Sequence, residues 1–139
     1  MPLNDLDLAI VDVEKTGAAS QYHRIIEIAV LRIQCGRLID KFSTLLDPER
    51  TISPFIENLT GIRNKDLENA PTFCQVKDRI YDILDGAIFV AHNAKFDYSF
   101  LKEEFERERV NYTAERLCTM RLSKTLFPHQ KKHNLDSII

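Results

Sequence analysis

Two carboxylates lie close together near the start of the chain, at the end of an apolar run. Residues 8–11 are typical of a buried strand, and Asp12 and Glu14 follow before a Thr-Gly turn. Because strand side chains alternate between faces, Asp12 and Glu14 point to one side and Val11 and Val13 to the other. Neighbouring acids repel each other and are costly to desolvate. The pair predicts a site for Mg²⁺ or Mn²⁺, which prefer oxygen ligands, and an acidic strand end at the surface is the alternative.

The elements that must position this pair change in character along the chain. Hairpins come first, and a strand–helix–strand order follows, which predicts a mixed sheet and an α/β or α+β class. A Thr72-x-x-Gln75 capping box begins the clearest helix. The expected elements are strands at 24–34, 38–46, 87–91 and around 117–118, helices at 54–59, 73–84 and up to about 108, a helix from Thr119 to Phe127, a basic loop at 128–133 and a helix from Asn134.

The composition indicates one ordinary globular domain spanning residues 1–139. Apolar residues make up 44% and charged residues 29%, and the net charge of −2 provides no global attraction for nucleic acid. No apolar run approaches the roughly 18 residues of a membrane span, and the start lacks a basic region, so we expect a cytoplasmic protein without membrane contact. Three widely spaced cysteines, Cys35, Cys74 and Cys118, are expected to be reduced core thiols.

Three motifs, taken in order, carry a family resemblance. Asp12-Val-Glu14-Lys-Thr16-Gly17, Thr60-Gly61-Ile62 and Ala91-His92-Asn93-Ala94-x-Phe96-Asp97 resemble the DEDD exonuclease superfamily. The branch they resemble is the DEDDh (DnaQ-like) one, typified by the epsilon proofreading subunit of bacterial DNA polymerase III. The resemblance runs from about residue 6 to the end of the chain. It implies an α/β fold of the RNase H-like kind, with a mixed five-stranded sheet flanked by helices.

The resemblance also implies an activity. It is that of a metal-dependent 3′→5′ exonuclease, which releases nucleotides from single-stranded or frayed DNA 3′ ends with two Mg²⁺ or Mn²⁺ ions, in proofreading or repair. The implied partners are a DNA 3′ end and a DNA polymerase subunit. Two alternatives stay open: an RNA-trimming exonuclease of the same fold, and a non-catalytic module that binds 3′ ends or a polymerase.

Individual residues match the family's functional positions. The resemblance implies that Asp12 is a ligand of both metals, Glu14 the second ligand and Asp97 the third, so these three are the candidate catalytic and metal-binding residues. The implied substrate contacts are Thr16, Gly17, Ile62, His92, Asn93 and Phe96.

The chain also departs from the family's pattern. The later motif with a fourth Asp and a general-base His has no match among these 139 residues. We therefore expect a piece of a longer protein that is inactive or weak alone, with an uncovered sheet face that favours self-association. Lys15 stands where the family usually has a small threonine, and we expect it to face solvent, as we do for His23.

Overall fold

The structure, a computed structural model, describes residues 5–119. A hairpin-rich first half is followed by alternating helices and strands. The elements in chain order are β1 (Asp7–Lys15), β2 (Ile25–Gln34), β3 (Arg37–Leu45), α1 (Pro54–Thr60), α2 (Asn64–Glu68), α3 (Phe73–Leu84), β4 (Ile88–Ala91), α4 (Ala94–Arg107) and β5 (Arg116–Cys118).

The strands form one mixed sheet in the order β3-β2-β1-β4-β5. Strands β1, β2 and β3 are antiparallel neighbours, whereas β4 runs parallel to β1 and β5 parallel to β4. The turn between β2 and β3 consists of Cys35 and Gly36, with φ of 51° and 74°. Positive φ at both positions gives the turn the twist that a two-residue hairpin needs. The predicted mixed five-stranded α/β sheet is confirmed.

One face of the sheet packs against α3 and α4. Strand β1 contributes the buried side chains of Ala9, Val11 and Val13 to this core. On the helices, Phe73 and Phe105 meet edge to face with their ring centroids 5.0 Å apart. Aromatic pairs in this geometry add to the stabilisation from buried area. This packing fixes α4 across the sheet, with its first turn beside the end of β1.

Helix ends follow the sequence signals. Ser53 caps α1 by accepting a hydrogen bond from the Ile56 N–H at 3.3 Å, and Gly61 ends the helix with φ of 77°. The capping box of α3 is present, with Thr72 and Gln75 exchanging hydrogen bonds of 3.0 and 3.3 Å. Helix α2 was not predicted, because so short a segment carries no readable periodicity.

The cysteines differ from the prediction in their burial. Cys35 and Cys74 are exposed, and Cys118 is half-buried against the core. The prediction of core thiols was wrong for the first two. Cys35 lies in the hairpin turn, and Cys74 is on the solvent side of α3. All three are free thiols, as expected.

Some predicted features lie outside the described residues. These are the helix expected to run from Thr119 to Phe127 beyond its first residue, the basic loop at 128–133 and the helix from Asn134. Among residues 5–119, no helix combines the length and apolar character needed to cross a membrane.

Candidate active site

The acidic pair lies on the central strand β1, on the side of the sheet opposite to α3 and α4. Val11 and Val13 are buried in the core, whereas Asp12 is exposed and Glu14 half-buried. This is the alternation that a strand imposes. The prediction that both carboxylates share one face is confirmed.

Asp97 reaches the same end of the sheet from α4. Strands β1 and β4 are parallel, with Ile10 opposite Val90. Asp12 and His92 are each two residues further along the chain, so they lie at the same level of the sheet on neighbouring strands. Helix α4 begins directly after β4, and Asp97 lies in its first turn, only 7% exposed. The fold therefore brings the three candidate carboxylates to one end of two parallel strands.

Burial and neighbouring negative charges act on two of the acids, Glu14 and Asp97. Burial raises the pKa of Glu14 above its ordinary value, and the negative charges of Asp12, Glu27 and Asp97 raise it further. Burial also raises the pKa of Asp97, with Lys15 acting in the opposite direction and Asp12 in the same direction. Carboxylates with raised pKa values gain most from a nearby cation.

Lys15 lies inside the site instead of facing solvent as predicted. Its Nζ is 3.1 Å from Oδ1 of Asp97, and the side chain is 24% exposed. The Nζ also lies 5.2 Å from the ring centroid of Phe100 and 5.9 Å from that of Phe96. Strand alternation was the missed signal, because it places Lys15 on the same side as Val11 and Val13, where a lysine needs a carboxylate partner.

The turn at Thr16 and Gly17 is held by His23, which the sequence interpretation had placed in water. The Thr16 hydroxyl lies 3.1 Å from Nδ1 of His23 and accepts a hydrogen bond of 2.9 Å from the Arg24 N–H. A Cβ on Gly17 would overlap the His23 ring. The glycine therefore lets the ring pack directly on the backbone of this turn.

A buried acid on α4, Glu104, holds the second end of the loop at 16–23, where the chain enters β2. Glu104, 1% exposed, accepts hydrogen bonds from the Arg24 side chain, from the Ile25 N–H at 3.0 Å and from Arg107 at 3.1 Å. Arg107 also donates to the backbone oxygen of Ser20 at 2.8 Å. Sequence reasoning missed this network, although a glutamate within the apolar stripe of α4 signals a buried ion pair.

The remaining predicted substrate residues lie at the start of α4. The backbone oxygen of Asn93 accepts hydrogen bonds from the N–H groups of Phe96 and Asp97, both at 3.1 Å. Nδ1 of His92 lies 3.1 Å from the Thr119 hydroxyl. The ring of Phe96 is 45% exposed and is available for stacking. Substrate contact by these residues stays a prediction.

Ile62, the last of the predicted substrate residues, has a buried side chain. It is 8% exposed and packs in a small second cluster with Ile26, Ile52, Ile56 and Leu67. The structure thus places its side chain beneath the surface, where it supports α1 and α2. A contact between Ile62 and a terminal base stays a prediction that requires this cluster to open.

The donor chemistry of the site fits a hard divalent cation. Asp12 and Glu14 offer carboxylate oxygens, which Mg²⁺ and Mn²⁺ prefer. Among the described residues, however, no three His, Cys, Asp or Glu side chains are grouped closely enough to hold a metal ion. The third carboxylate, Asp97, has one oxygen on Lys15 instead. Asp12 and Glu14 are the residues that would hold such an ion.

Comparison with known proteins identifies the family. The model of the family described as RNase_T, Exonuclease, matches residues 9–139. The chain belongs to this exonuclease family. It is 36% identical over 138 residues to the 3′-5′ exonuclease DinG of Bacillus subtilis (strain 168), covering 98% of this chain and 15% of that protein. It is 33% identical over 139 residues to a PolC-type DNA polymerase III of Halalkalibacterium halodurans, covering 99% of this chain and 10% of that protein.

Solved structures agree with the assigned fold. A structure of exonuclease X in complex with 5′ overhanging duplex DNA matches with a TM-score of 0.68 and 30% identity, covering 89% of this chain and 66% of that one. Apo exonuclease I matches with a TM-score of 0.76 and 15% identity, covering 92% of this chain and 33% of that one. The expected DEDD-type family and its RNase H-like fold are confirmed.

Proposed function

We propose that this chain is the nuclease domain of a 3′→5′ exonuclease acting on single-stranded or frayed DNA 3′ ends. The observation that carries the proposal is the placement of Asp12, Glu14 and Asp97 at the same end of the parallel strands β1 and β4. The family membership and the similarity to a 3′-5′ exonuclease support the reaction class. The DNA complex of exonuclease X supports DNA as the substrate.

The chain's own residues have separable tasks in this proposal. Asp12, Glu14 and Asp97 would hold two divalent ions, Mg²⁺ or Mn²⁺. When bound, such a pair of ions stabilises charge on the phosphate and activates a water molecule. The turn at Thr16 and Gly17, held rigid by its hydrogen bonds, would contact the terminal nucleotide.

Selectivity for single strands would come from the exposed ring of Phe96. Bases stack on aromatic side chains only when they are unpaired and splayed, and a duplex resists this. A ring beside the acidic site would therefore bind the last base of a frayed end. His92 and Asn93 would line the same cleft.

The test is the shortening of a 5′-labelled single strand by the full-length protein with Mg²⁺ or Mn²⁺. We expect Asp12→Asn to lower the rate at least about a hundredfold, because an amide cannot supply the charge that the ions require. Asp78→Asn, an exposed change on α3, is the matched control and should leave the rate unchanged. An active Asp12→Asn protein would contradict the proposal.

The same assay separates the two alternatives. An RNA strand shortened faster than a DNA strand of the same sequence would favour RNA trimming. A protein that retains 3′ ends without shortening either strand would favour the non-catalytic binding module.

The similarity to a PolC-type polymerase supports a further proposal, that the domain works beside a DNA polymerase in proofreading or repair. A mismatched primer end tests this, since proofreading requires a mispaired 3′ nucleotide to be removed faster than a paired one.

A further inference from the structure

Lys15 places a cation at the end of β1, next to the acidic residues Glu14 and Asp97. It is the last residue of β1, directly after Glu14, and its ammonium lies 3.1 Å from Oδ1 of Asp97. The rings of Phe96 and Phe100 lie on its other sides, at 5.9 and 5.2 Å from Nζ. The lysine is thus held by one carboxylate and two aromatic faces, an arrangement that favours a positive charge.

The pairing is important because Asp97 is nearly buried. Its side chain is 9% exposed, so an ionised carboxylate there needs a partner. Lys15 is the only lysine or arginine that pairs with Asp97 in the described part of the chain. The ammonium therefore occupies Oδ1, one of the two carboxylate oxygens that Asp97 could offer a metal ion.

We propose that Lys15 is an internal cation that competes with a divalent ion for Asp97, and so sets the metal affinity of this site. The inference rests on the proposed function, because it requires a metal site at Asp12, Glu14 and Asp97. A divalent ion that binds Asp97 must share a carboxylate already paired with Nζ, and the weakened ion pair lowers the apparent affinity. A chain with a neutral residue at position 15 does not carry this penalty.

The test measures Mn²⁺ alone, by calorimetric titration of the metal-free full chain without nucleic acid. Lys15→Met keeps the aliphatic stem between the two rings and removes the charge. We expect it to bind Mn²⁺ about tenfold more tightly, the factor associated with one charge-assisted hydrogen bond. Lys15→Arg keeps the cation and should stay within about threefold of the unsubstituted chain.

The matched control is Lys95→Met, on α4 two residues before Asp97. Lys95 is exposed and makes no described contact with Asp97. This variant removes the same charge from nearby, so it reports the general electrostatic field. Its Mn²⁺ affinity should change less than about twofold, because exposed charges are screened by salt.

Thermal denaturation gives a second readout that does not depend on activity. In EDTA, Lys15→Met should melt below the unsubstituted chain, because Asp97 has lost its partner. Saturating Mn²⁺ should then raise the melting temperature of Lys15→Met more than that of the unsubstituted chain, since tighter ligands stabilise more at equal concentration.

Unchanged Mn²⁺ affinity in Lys15→Met would overturn the inference, and so would an equal gain in Lys95→Met. Asp12→Asn distinguishes this failure from failure of the proposed function. If Asp12→Asn abolishes Mn²⁺ binding while Lys15→Met leaves it unchanged, the metal site stands and only the competition is refuted. If Asp12→Asn binds Mn²⁺ as tightly as the unsubstituted chain does, both the proposed metal site and the proposed competition are refuted.

Discussion

Replacing Glu104 by alanine should destabilise the chain more than any change at a surface acid. Glu104 is 1% exposed and its two oxygens accept from the Arg24 guanidinium at 2.8–3.0 Å. They also accept from the Ile25 N–H at 3.0 Å and from Arg107 at 3.1 Å. Truncation leaves a buried N–H without an acceptor and two guanidinium groups without their counter-charge.

The magnitude follows from these contacts. Removing one partner of a buried ion pair costs about 3–5 kcal/mol. Here the side chains of Arg24 and Arg107 remain 15% and 27% exposed, so both can partly rehydrate. We therefore expect the lower end of the range, about 3 kcal/mol in the free energy of unfolding. For a chain of this size, that corresponds to a fall of about 10 °C in melting temperature.

The assay is urea unfolding followed by circular dichroism, in metal-free buffer at neutral pH. Glu106→Ala is the matched control on the same helix, because its carboxylate is 4.0 Å from Lys102 and its side chain is 53% exposed. That control should lose less than about 0.5 kcal/mol. Should Glu104→Ala prove too unstable to purify, Glu104→Gln keeps an acceptor for Ile25 and should lose about 2 kcal/mol. A Glu104→Ala loss no larger than that of the control would refute the reasoning.

Two further predictions concern the substrate turn and the far end of β1. Gly17→Ala should lower exonuclease activity about tenfold or more, because the new Cβ displaces His23 and shifts the turn. Adding His23→Ala should restore part of the lost activity. Full activity in Gly17→Ala would contradict the prediction. Asp7→Asn should cost about 1 kcal/mol at pH 7, since Asp7 binds Arg32 at 2.6–2.7 Å. Arg32 lowers the pKa of Asp7, so this stabilisation is present at neutral pH and lost as pH falls through the lowered value. The difference in stability between the two proteins should therefore shrink as the pH falls and vanish in strong acid, and a difference that persists there would count against it.

The sequence was sufficient wherever a local pattern determines the structure. Alternation in β1 placed Asp12 and Glu14 on one face, and the Thr72–Gln75 capping box located the start of α3. Asp97 was placed in the first turn of a helix after a buried strand, where the structure has it. Each of these predictions needed only neighbours within a few residues in the chain.

The supporting ion pairs could not be read in the same way, because each joins residues about eighty positions apart. Lys15 pairs with Asp97 and Arg24 with Glu104, with sequence separations of 82 and 80. Periodicity shows that a charged side chain faces a core, but only the packing of α4 on the sheet identifies its partner. His23 was misplaced for a related reason, since its contact with Gly17 depends on how the intervening loop folds back.

The two ion pairs together fix the loop that follows the acidic pair on β1. Asp97 and Glu104 are seven residues apart, which places them on one face of α4 two turns from each other. Their partners border the loop at 16–23: Lys15 ends β1 before the loop, and Arg24 follows the loop just before β2. Both ends of that loop are therefore anchored to the same helix face. Loss of the Lys15–Asp97 pair would release only the first anchor. The second anchor, formed by Arg24 and the buried Glu104 and supported by Arg107, would still hold the Thr16–Gly17 turn in place.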